Sequence, residues 1–416
     1  MISKNRNING NSAKLISDRV TTWSAAPIPP MKKPLLDHIP EHIRDLPLYI
    51  PGKPLKQAES ETGLTMIKLA SNENPFGPSP RAEEALREAS SQINLYPDND
   101  ATELRYTLAA RHNLAPEQIF LADGSLGVLD IVARTMLRPG LNCVTSERSF
   151  ISYPIVTKAT GAKLITAAMH NNTYNLAALA ASIDNQTKVI LIANPNNPTG
   201  TMVSAEEIES FLGNVPEHIL VVLDEAYADF AEYFTAQRGA VYSRAFEHVR
   251  AHRPNLLVLR TFSKAYGLAG LRVGYGCGHP ELLQYFARVR NAFSISVAAQ
   301  AAALAALRDH EHIRMTVENN AREAARMTER FSGLGIHALP TSGNFFYFES
   351  GENSDALAAR MQTEGVIIRS LVPWGLPNGI RVTIGLPEQN ERFFEALKKV
   401  LGPPAPPSMK TKVFVD

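Results

Sequence analysis

Two patterns of apolar and polar positions alternate along the chain. Short apolar runs lie at 119–122, 188–193, 219–223 and 255–260, and amphipathic segments lie between them. Short runs bounded by polar residues are typical of buried parallel strands, and apolar positions spaced three and four apart indicate helices packed on one face. The alternation predicts an α/β fold, with a large domain whose mostly parallel sheet lies between helices and a smaller α+β domain after it.

The same pattern divides the chain. We predict a disordered extension over 1–34, an arm over 35–75 that joins the small domain, a large domain over 76–308, a small domain over 309–402 and a flexible tail over 403–416. The extension is rich in Asn and Ser and weakly basic, so an organelle address is the alternative to disorder. The Pro-rich segment 402–407 indicates an unstructured tail.

Composition excludes several classes of protein. The 416 residues are 44% hydrophobic and 20% charged with a net charge of +1, which is ordinary for a globular protein and gives no basic excess for nucleic acid or membrane surfaces. No apolar run reaches the length of a membrane span or forms the core of a secretory signal. Cys143 and Cys277 form no metal or redox spacing, so we expect buried thiols, a cytoplasmic location and no metal site.

The segment TFSKAYGLAGLRVG at 261–274 follows one of the apolar runs directly. It places Lys264 between hydroxyls at Thr261 and Ser263, with Arg272 further along. A lysine among hydroxyls and a fixed cation suits a Schiff base to an aldehyde that also carries a phosphate. The alternative is a solvated lysine in a glycine-rich loop, since lysine is usually exposed.

Polar residues also follow two other apolar runs. Asn197 lies in the segment NPNNPTG at 194–200, and Asp224 and Tyr227 lie in DEAY at 224–227. Ligands bind at the carboxyl edge of an open α/β sheet, where these residues are expected to meet. A carboxylate directly after an apolar run is costly to bury without a partner, and the alternative for Asp224 is the N-cap of a helix.

Two further positions suggest anion binding. The turn at Gly124 and Ser125 enters an apolar helix, and a helix N-terminus is a ready anion site, although the motif is short and common. Arg381 lies inside the apolar strand pattern 380–384, which is costly unless the guanidinium meets an anion. The alternative is that Arg381 faces solvent on an alternating strand.

Together these segments resemble the fold-type I, pyridoxal-phosphate-dependent aminotransferases, and within them the histidinol-phosphate aminotransferases. The resemblance rests on the segments 194–200 and 224–227, on Lys264 and Arg272 in that order, and on supporting segments at 68–80, 96–98, 267–275 and 379–385. It covers about residues 39–401 and implies an aspartate-aminotransferase-like fold with a seven-stranded sheet.

The resemblance implies a role for each motif residue. Lys264 would form the Schiff base and then move the proton at the substrate Cα, Asp224 would pair with the pyridine nitrogen, and Tyr227 would contact the cofactor's phenolic oxygen. These three form the predicted catalytic set. The implied contacts to pyridoxal 5′-phosphate are Gly124, Ser125, Leu126, Phe150, Asn197, Asp224, Tyr227, Thr261, Ser263, Lys264, Arg272 and, from the partner subunit of a homodimer with shared active sites, Tyr96.

On the substrate side the resemblance implies that Arg381 holds the α-carboxylate, and that Tyr49 and Arg369 reach the far end of the substrate, including a phosphate. The implied substrate set is Tyr49, Asn74, Asn197, Asn344, Arg369 and Arg381. One departure concerns the turn after Ser125, where Leu126 and Gly127 replace the family's usual acidic or amide residue.

The resulting hypothesis is an aminotransferase of histidine biosynthesis that moves an amino group from histidinol phosphate to 2-oxoglutarate, giving glutamate. The alternative is an aromatic amino acid aminotransferase or a pathway-specific tailoring enzyme, because imidazole and phenyl rings are flat and similar in size. A decarboxylase with the same cofactor and a non-catalytic regulator built on the same domain are more distant alternatives.

Overall fold

The computed structural model describes residues 33–46, 48 and 53–402. The described residues fall into two compact units, one within residues 1–45 and the other within residues 46–416. The first unit contains two short helices, α1 (Lys33–Leu36) and α2 (Glu41–Arg44). Nearly all of the predicted extension 1–34 and the whole predicted tail 403–416 lie outside the described residues.

The second unit contains both sheets and helices. Its strands are β1 (Ile67–Lys68), β2 (Ile119–Ala122), β3 (Asn142–Ser146), β4 (Lys163–Ala167), β5 (Thr187–Ala193), β6 (Leu220–Asp224), β7 (Leu256–Thr261), β8 (Gly274–Gly278), β9 (Phe345–Glu349), β10 (Val366–Ile367), β11 (Arg369–Ser370) and β12 (Gly379–Thr383). Its helices are α3 (Leu55–Thr62), α4 (Pro80–Ala89), α5 (Thr102–His112), α6 (Ser125–Met136), α7 (Ser152–Lys158), α8 (Leu176–Ala181), α9 (Ala205–Asn214), α10 (Ala228–Ala236), α11 (Ala245–Arg250), α12 (Pro280–Val289), α13 (Val297–Leu307), α14 (His310–Gly333), α15 (Ser354–Thr363) and α16 (Pro387–Leu401).

The large sheet has the strand order β2-β8-β7-β6-β5-β3-β4. Strands β7, β6, β5, β3 and β4 pair in parallel, and β8 runs antiparallel to both of its neighbours. The predicted mostly parallel seven-stranded sheet of an α/β fold is therefore confirmed. Because β5, β6 and β7 are parallel neighbours, the residues that follow them meet at one edge of the sheet.

The apolar runs become strands because their side chains are removed from water. Every residue of β6, β7 and β8 is buried, and these strands lie in the main hydrophobic cluster together with apolar side chains of α5, α6, α9 and α13. Strands buried on both faces read as continuous apolar sequence, which is why the pattern located β6 and β7; β8, with the sequence GYGCG, is buried but is not such a run.

A second hydrophobic cluster surrounds the small antiparallel sheet β11-β12-β9. At its centre, Phe331 of α14 makes ring contacts with Phe346, Phe348, Phe393 and Phe394. Strand β1 pairs with β10 in parallel, so the segment before the large sheet is hydrogen-bonded into this part of the molecule. The exact division at residues 76 and 308 stays a prediction.

Two glycines allow the backbone to approach itself closely beside the sheet edge. A Cβ at Gly274 would lie 2.5 Å from the backbone nitrogen of Ser125, so glycine lets β8 contact the start of α6. Gly267 has φ +70°, and a Cβ there would lie 2.1 Å from the carbonyl oxygen of Gly77. Both contacts shape the loops around the sheet edge, and neither tolerates a side chain without backbone movement.

In the part of the chain that the structure describes, no helix combines the length and the apolar character needed to cross a membrane.

Candidate active site

A cavity of about 270 Å³ lies at the carboxyl ends of β5, β6 and β7. Asn197 reaches it from the loop after β5, Asp224 from the last position of β6 and Lys264 from the loop after β7. The three predicted segments are therefore brought together by the strand order, as parallel strands require. The cavity encloses a carboxylate, an amine and an amide within one pocket.

Asp224 is deeply buried, with 4% of its surface exposed. Tyr153 Oη donates to its Oδ2 at 3.2 Å, and the Ala226 N–H donates to its Oδ1 at 3.3 Å. Burial raises the pKa of this carboxyl to about 6, although both hydrogen bonds act in the opposite direction. Among the described residues no Lys, Arg or His lies within ion-pair distance of Asp224, although the charge of Lys264 in the same cavity also lowers its pKa.

Lys264 lies in the same cavity. Its Nζ donates to the Ser71 carbonyl oxygen at 3.3 Å and lies 5.5 Å from the ring centroid of Tyr227. Burial, followed by the nearby positive charge of Arg381, lowers the pKa of this amine to about 7. A substantial fraction of the amine is therefore neutral near pH 7, which is the form that attacks a carbonyl carbon.

Tyr227 is buried beside the lysine and its hydroxyl is held by two amides. Asn72 Nδ2 donates to Tyr227 Oη at 2.9 Å, and Asn197 Nδ2 donates to the same oxygen at 3.2 Å. Asn197 Oδ1 in turn accepts a hydrogen bond from Arg381 Nη1 at 2.7 Å. A continuous set of hydrogen bonds thus runs from Arg381 through Asn197 to the hydroxyl of Tyr227.

One end of the cavity is built to hold an anion. Thr261 Oγ1 donates to Ser263 Oγ at 3.0 Å, and Arg272 Nη1 reaches the same Ser263 oxygen at 3.4 Å. Helix α6 begins here at Ser125, and no side chain caps its N-terminus at Gly124. Uncapped N–H groups, hydroxyls and a guanidinium around one space are the donors that bind a phosphate group.

Glycine is required at the turn that forms this anion site. Gly124 has φ +93°, and a Cβ there would lie 2.7 Å from Arg272 Nη2. Leu126 and Phe150 also line the cavity, and Leu126 is exposed, so this edge carries apolar side chains instead of polar ones. The departure at Leu126 noted in the sequence therefore leaves the donors of the anion site intact.

Two arginines lie together at the opposite side of the cavity. Arg369 and Arg381 are direct partners in the antiparallel pairing of β11 with β12, which places their side chains on the same face of the sheet. Their guanidinium carbons lie 5.2 and 6.0 Å from the ring centroid of Trp374. The π-face of one indole ring attracts both cations, which offsets part of the repulsion between paired like charges.

Three predicted side chains do not line the cavity, and a fourth predicted residue is not among the described residues. Asn74 does not line the cavity, because its Nδ2 donates to the Ala265 carbonyl at 2.8 Å and to Thr316 Oγ1 at 3.1 Å. Asn344 lies behind the cavity wall, where its Nδ2 donates to the Asn72 carbonyl at 3.1 Å. Tyr96 is 82% exposed and stacks on Phe293 of the same chain, and Tyr49 lies outside the described residues.

The structure adds Asn72, Tyr153 and Trp374 to the cavity and its supports. Asn72 lies two positions from Asn74 in the same polar loop, and sequence alone gives no means of choosing between them. Tyr153 is a buried helical tyrosine, which in sequence resembles any core aromatic residue. Trp374 had one available signal, since a tryptophan in a short loop between Arg369 and Arg381 suits a cation–π contact.

The arrangement fits pyridoxal phosphate. The amine of Lys264 suits an aldehyde, the buried carboxylate of Asp224 suits a ring nitrogen that carries a proton, and the donors around Arg272 suit a phosphate. Such a site on a mostly parallel α/β sheet is that of the fold-type I pyridoxal-phosphate enzymes, which include the aminotransferases. The family model for aminotransferase class I and II matches residues 65–397, and the chain belongs to this family.

Curated relatives carry a more particular name. The chain is 44% identical over 362 residues to histidinol-phosphate aminotransferase 2 of Pseudomonas fluorescens (strain Pf0-1), covering 86% of this chain and 96% of that protein. It is 41% identical to histidinol-phosphate aminotransferase of Moorella thermoacetica, covering 87% and 92%. The crystal structure of histidinol-phosphate aminotransferase from Sinorhizobium meliloti in complex with pyridoxal-5′-phosphate has a TM-score of 0.78 and 27% identity, covering 92% of this chain and 99% of that one.

The pKa of Asp224 predicts how the cofactor-free protein responds to substitution. The carboxyl pKa is about 6 in the folded state and ordinarily 3.8, so the folded state binds more protons between these limits. Stability is therefore lost as the pH rises through this window. We expect the free energy of unfolding of cofactor-free Asp224→Asn to be larger than that of the cofactor-free wild type. The difference should be about 3 kcal/mol at pH 7 and about half of that at pH 5.

Urea unfolding of the two cofactor-free proteins at several pH values measures this difference. Asp130→Asn, at an exposed position of α6, is the matched control and should leave the pH dependence unchanged. A cofactor-free Asp224→Asn protein that is less stable than the wild type at pH 7 would contradict the assignment of an uncompensated buried charge.

Proposed function

We propose that this chain is a pyridoxal-phosphate-dependent aminotransferase that transfers the amino group of histidinol phosphate to 2-oxoglutarate. The observation that carries the proposal is the cavity in which Lys264 and the otherwise unpaired Asp224 lie together, between an anion site at Arg272 and a pair of arginines. The 44% identity to a histidinol-phosphate aminotransferase over 86% of the chain supports the choice of amino donor.

Pyridoxal phosphate supplies an aldehyde that captures amines and a ring that takes up the electrons left when a Cα–H bond breaks. The chain supplies the rest. Lys264 would hold the cofactor through its amine, and the same amine, once free, would accept the proton that leaves the substrate Cα. With a pKa near 7 before cofactor binding, its environment favours the neutral amine that this proton transfer requires.

Asp224 stabilises a proton on the ring nitrogen, because a buried carboxylate favours the protonated partner. Tyr227 and Asn197 would hold the phenolic oxygen and Phe150 would contact the ring, since all three line the cavity. Gly124, Ser125, Leu126, Thr261, Ser263 and Arg272 hold the phosphate. Each of these roles is supported by the position of the side chain around the cavity.

The two arginines suit substrates with different anions. Glutamate presents an α-carboxylate where histidinol phosphate presents a longer CH₂–phosphate group, so one site must accept both. Arg381 is held by Asn197 Oδ1 and by the Ala70 carbonyl, each at 2.7 Å, and Arg369 lies beside it on the neighbouring strand. We propose that Arg381 binds either the α-carboxylate of glutamate or the phosphate of histidinol phosphate, and that Arg369 binds the extra charge of the phosphate. Tyr49 stays a predicted substrate contact.

A comparison of amino donors tests the proposed substrate. Loss of the phosphate leaves charged donors at the arginines unpaired, at about 1.5–3 kcal/mol for each bond. We expect kcat/KM for histidinol phosphate to exceed that for phosphate-free histidinol by about a hundredfold or more, and to exceed that for phenylalanine, whose α-carboxylate still pairs with Arg381, by a smaller factor. Arg369→Lys should reduce the preference for the phosphate, with Arg148→Lys, at an exposed arginine, as the matched control.

Equal kcat/KM values for histidinol phosphate and phenylalanine would favour the aromatic amino acid aminotransferase instead. Release of CO₂ without formation of a keto acid would favour decarboxylation. Glutamate formed from 2-oxoglutarate is measured with each donor. A protein without aminotransferase activity forms no glutamate with any donor, whereas a protein with a different donor preference forms it with another amine.

We further propose a cytoplasmic homodimer in which each subunit donates Tyr96 to the partner's phosphate site. Tyr96 is 82% exposed, and Ile93 and Leu95 beside it are exposed apolar side chains, which a second subunit would cover. The buried free thiols of Cys143 and Cys277 are compatible with a reducing compartment.

Mixing two inactive variants tests the shared site. A Tyr96→Ala chain keeps its lysine and a Lys264→Ala chain keeps its tyrosine, so a mixed dimer contains one complete site. After subunit exchange we expect activity to recover to about a quarter of the wild-type value, because half of the dimers are mixed and each has one working site. Tyr285→Ala, which removes another exposed tyrosine, is the control in place of Tyr96→Ala. No recovery in chains shown to exchange contradicts the proposal.

A further inference from the structure

The hydroxyl of Tyr227 is surrounded by donors. It has one hydrogen to donate and two lone pairs that accept. Asn72 Nδ2 donates to it at 2.9 Å and Asn197 Nδ2 donates to it at 3.2 Å, so both lone pairs are used. The hydrogen of the hydroxyl must then point in a third direction, away from both amides.

The orientation of the Asn197 amide is fixed by its other partner. Arg381 Nη1, which can only donate, lies 2.7 Å from Asn197 Oδ1. The oxygen of this amide must therefore face the guanidinium, and the NH₂ group must face Tyr227. Rotation of the amide by 180° would place two donors against each other.

The Asn72 amide is fixed by Thr383. The backbone N–H of Asn72 donates to Thr383 Oγ1 at 2.9 Å, and Thr383 Oγ1 donates back to Asn72 Oδ1 at 3.2 Å. With the hydroxyl hydrogen of Thr383 on Asn72 Oδ1, the NH₂ group of the amide turns to Tyr227. Asn344 also holds the Asn72 carbonyl, and Asn72 is 1% exposed with φ +54°, a conformation that Asn tolerates better than most residues.

Asn72 and Tyr227 both line the cavity that contains Lys264. The direction left for the hydroxyl hydrogen is therefore into this cavity. We propose that Asn72 is a positioning residue whose amide, together with that of Asn197, turns the single hydrogen of Tyr227 towards the phenolic oxygen of the bound cofactor. This inference rests on the proposed function, because it requires pyridoxal phosphate in the cavity.

A hydrogen aimed at the phenolic oxygen stabilises the anionic form of that oxygen. The bound cofactor then gives up its proton at a lower pH, and its visible absorbance changes at that pH. Without the Asn72 amide, the Tyr227 O–H bond rotates, and its hydrogen points towards the phenolic oxygen for a smaller fraction of the time. The hydrogen bond to the cofactor weakens, and the midpoint of the absorbance change moves to higher pH.

The test is a pH titration of the visible absorbance of the holoenzyme. Asn72→Gly removes the amide and suits the left-handed backbone, and we expect its midpoint to rise by about half a pH unit or more. Tyr227→Phe should raise the midpoint at least as far. The double variant should match Tyr227→Phe alone, because Asn72 acts through the hydroxyl.

Asn72→Asp provides a second variant of the same shape. It keeps the contact with Thr383 but presents only acceptors to the Tyr227 hydroxyl, so the hydrogen turns away from the cofactor and the midpoint should again rise. Asn171→Gly is the matched control, since Asn171 is an exposed asparagine with φ +49° that does not line the cavity. Its midpoint should equal that of the wild type.

An unchanged midpoint in both Asn72 variants, with a raised midpoint in Tyr227→Phe, overturns the inference and leaves the proposed function intact. A lowered midpoint in Asn72→Gly also overturns it, because Tyr227 would then have been donating to Asn72. Failure of the proposed function looks different: the wild-type protein with pyridoxal phosphate would show no lysine-bound absorbance band and no glutamate formation.

Discussion

The cost of burying charge determines the organisation of this protein. Asp224 carries a carboxylate at the end of a strand whose every residue is buried, and the described part of the chain provides it with no ion-pair partner. Lys264 carries an amine in the same cavity, with its pKa lowered to about 7 by burial and by Arg381. A folded protein keeps such groups where a ligand supplies what they lack, and pyridoxal phosphate supplies both a cation for the carboxylate and an aldehyde for the amine.

The sheet makes this arrangement possible. Because β5, β6 and β7 are parallel neighbours, three loops with different chemistry open at one edge. The antiparallel β8 returns the chain from Arg272 towards the start of α6, where Gly274 permits close contact with Ser125. Behind the site, Arg260 and Glu225 form a buried ion pair at 2.7 Å, which holds the residue next to Asp224 in place. The donors around Arg272 and the positions of Asp224 and Lys264 are thus consequences of one topology.

Sequence alone located the strands and the residues that chemistry requires. Continuous apolar runs identified β5, β6 and β7, and the polar residues directly after them identified Asn197, Asp224 and the loop of Lys264. The sequence could not show which of two neighbouring polar residues in a loop contacts the site, because that depends on the direction of the backbone. Asn72 and Asn74 lie in one polar segment, yet only the left-handed conformation of Asn72 turns its amide to Tyr227.

Contacts between segments far apart in the chain could not be predicted from the sequence either. The strand register that places Arg369 beside Arg381 depends on how β11 pairs with β12, and Tyr153 reaches Asp224 across seventy-one positions of sequence. Such pairs are set by tertiary packing, which no local pattern records.

The central claim is that Lys264 is the residue that binds the cofactor's aldehyde. Borohydride reduction of the protein loaded with pyridoxal phosphate, followed by proteolysis and mass spectrometry, locates the attachment directly. We predict one pyridoxyl group on the peptide that contains Lys264 and none after substitution of Lys264 by alanine. Attachment at a different lysine, or no attachment in the wild-type protein, would contradict the claim.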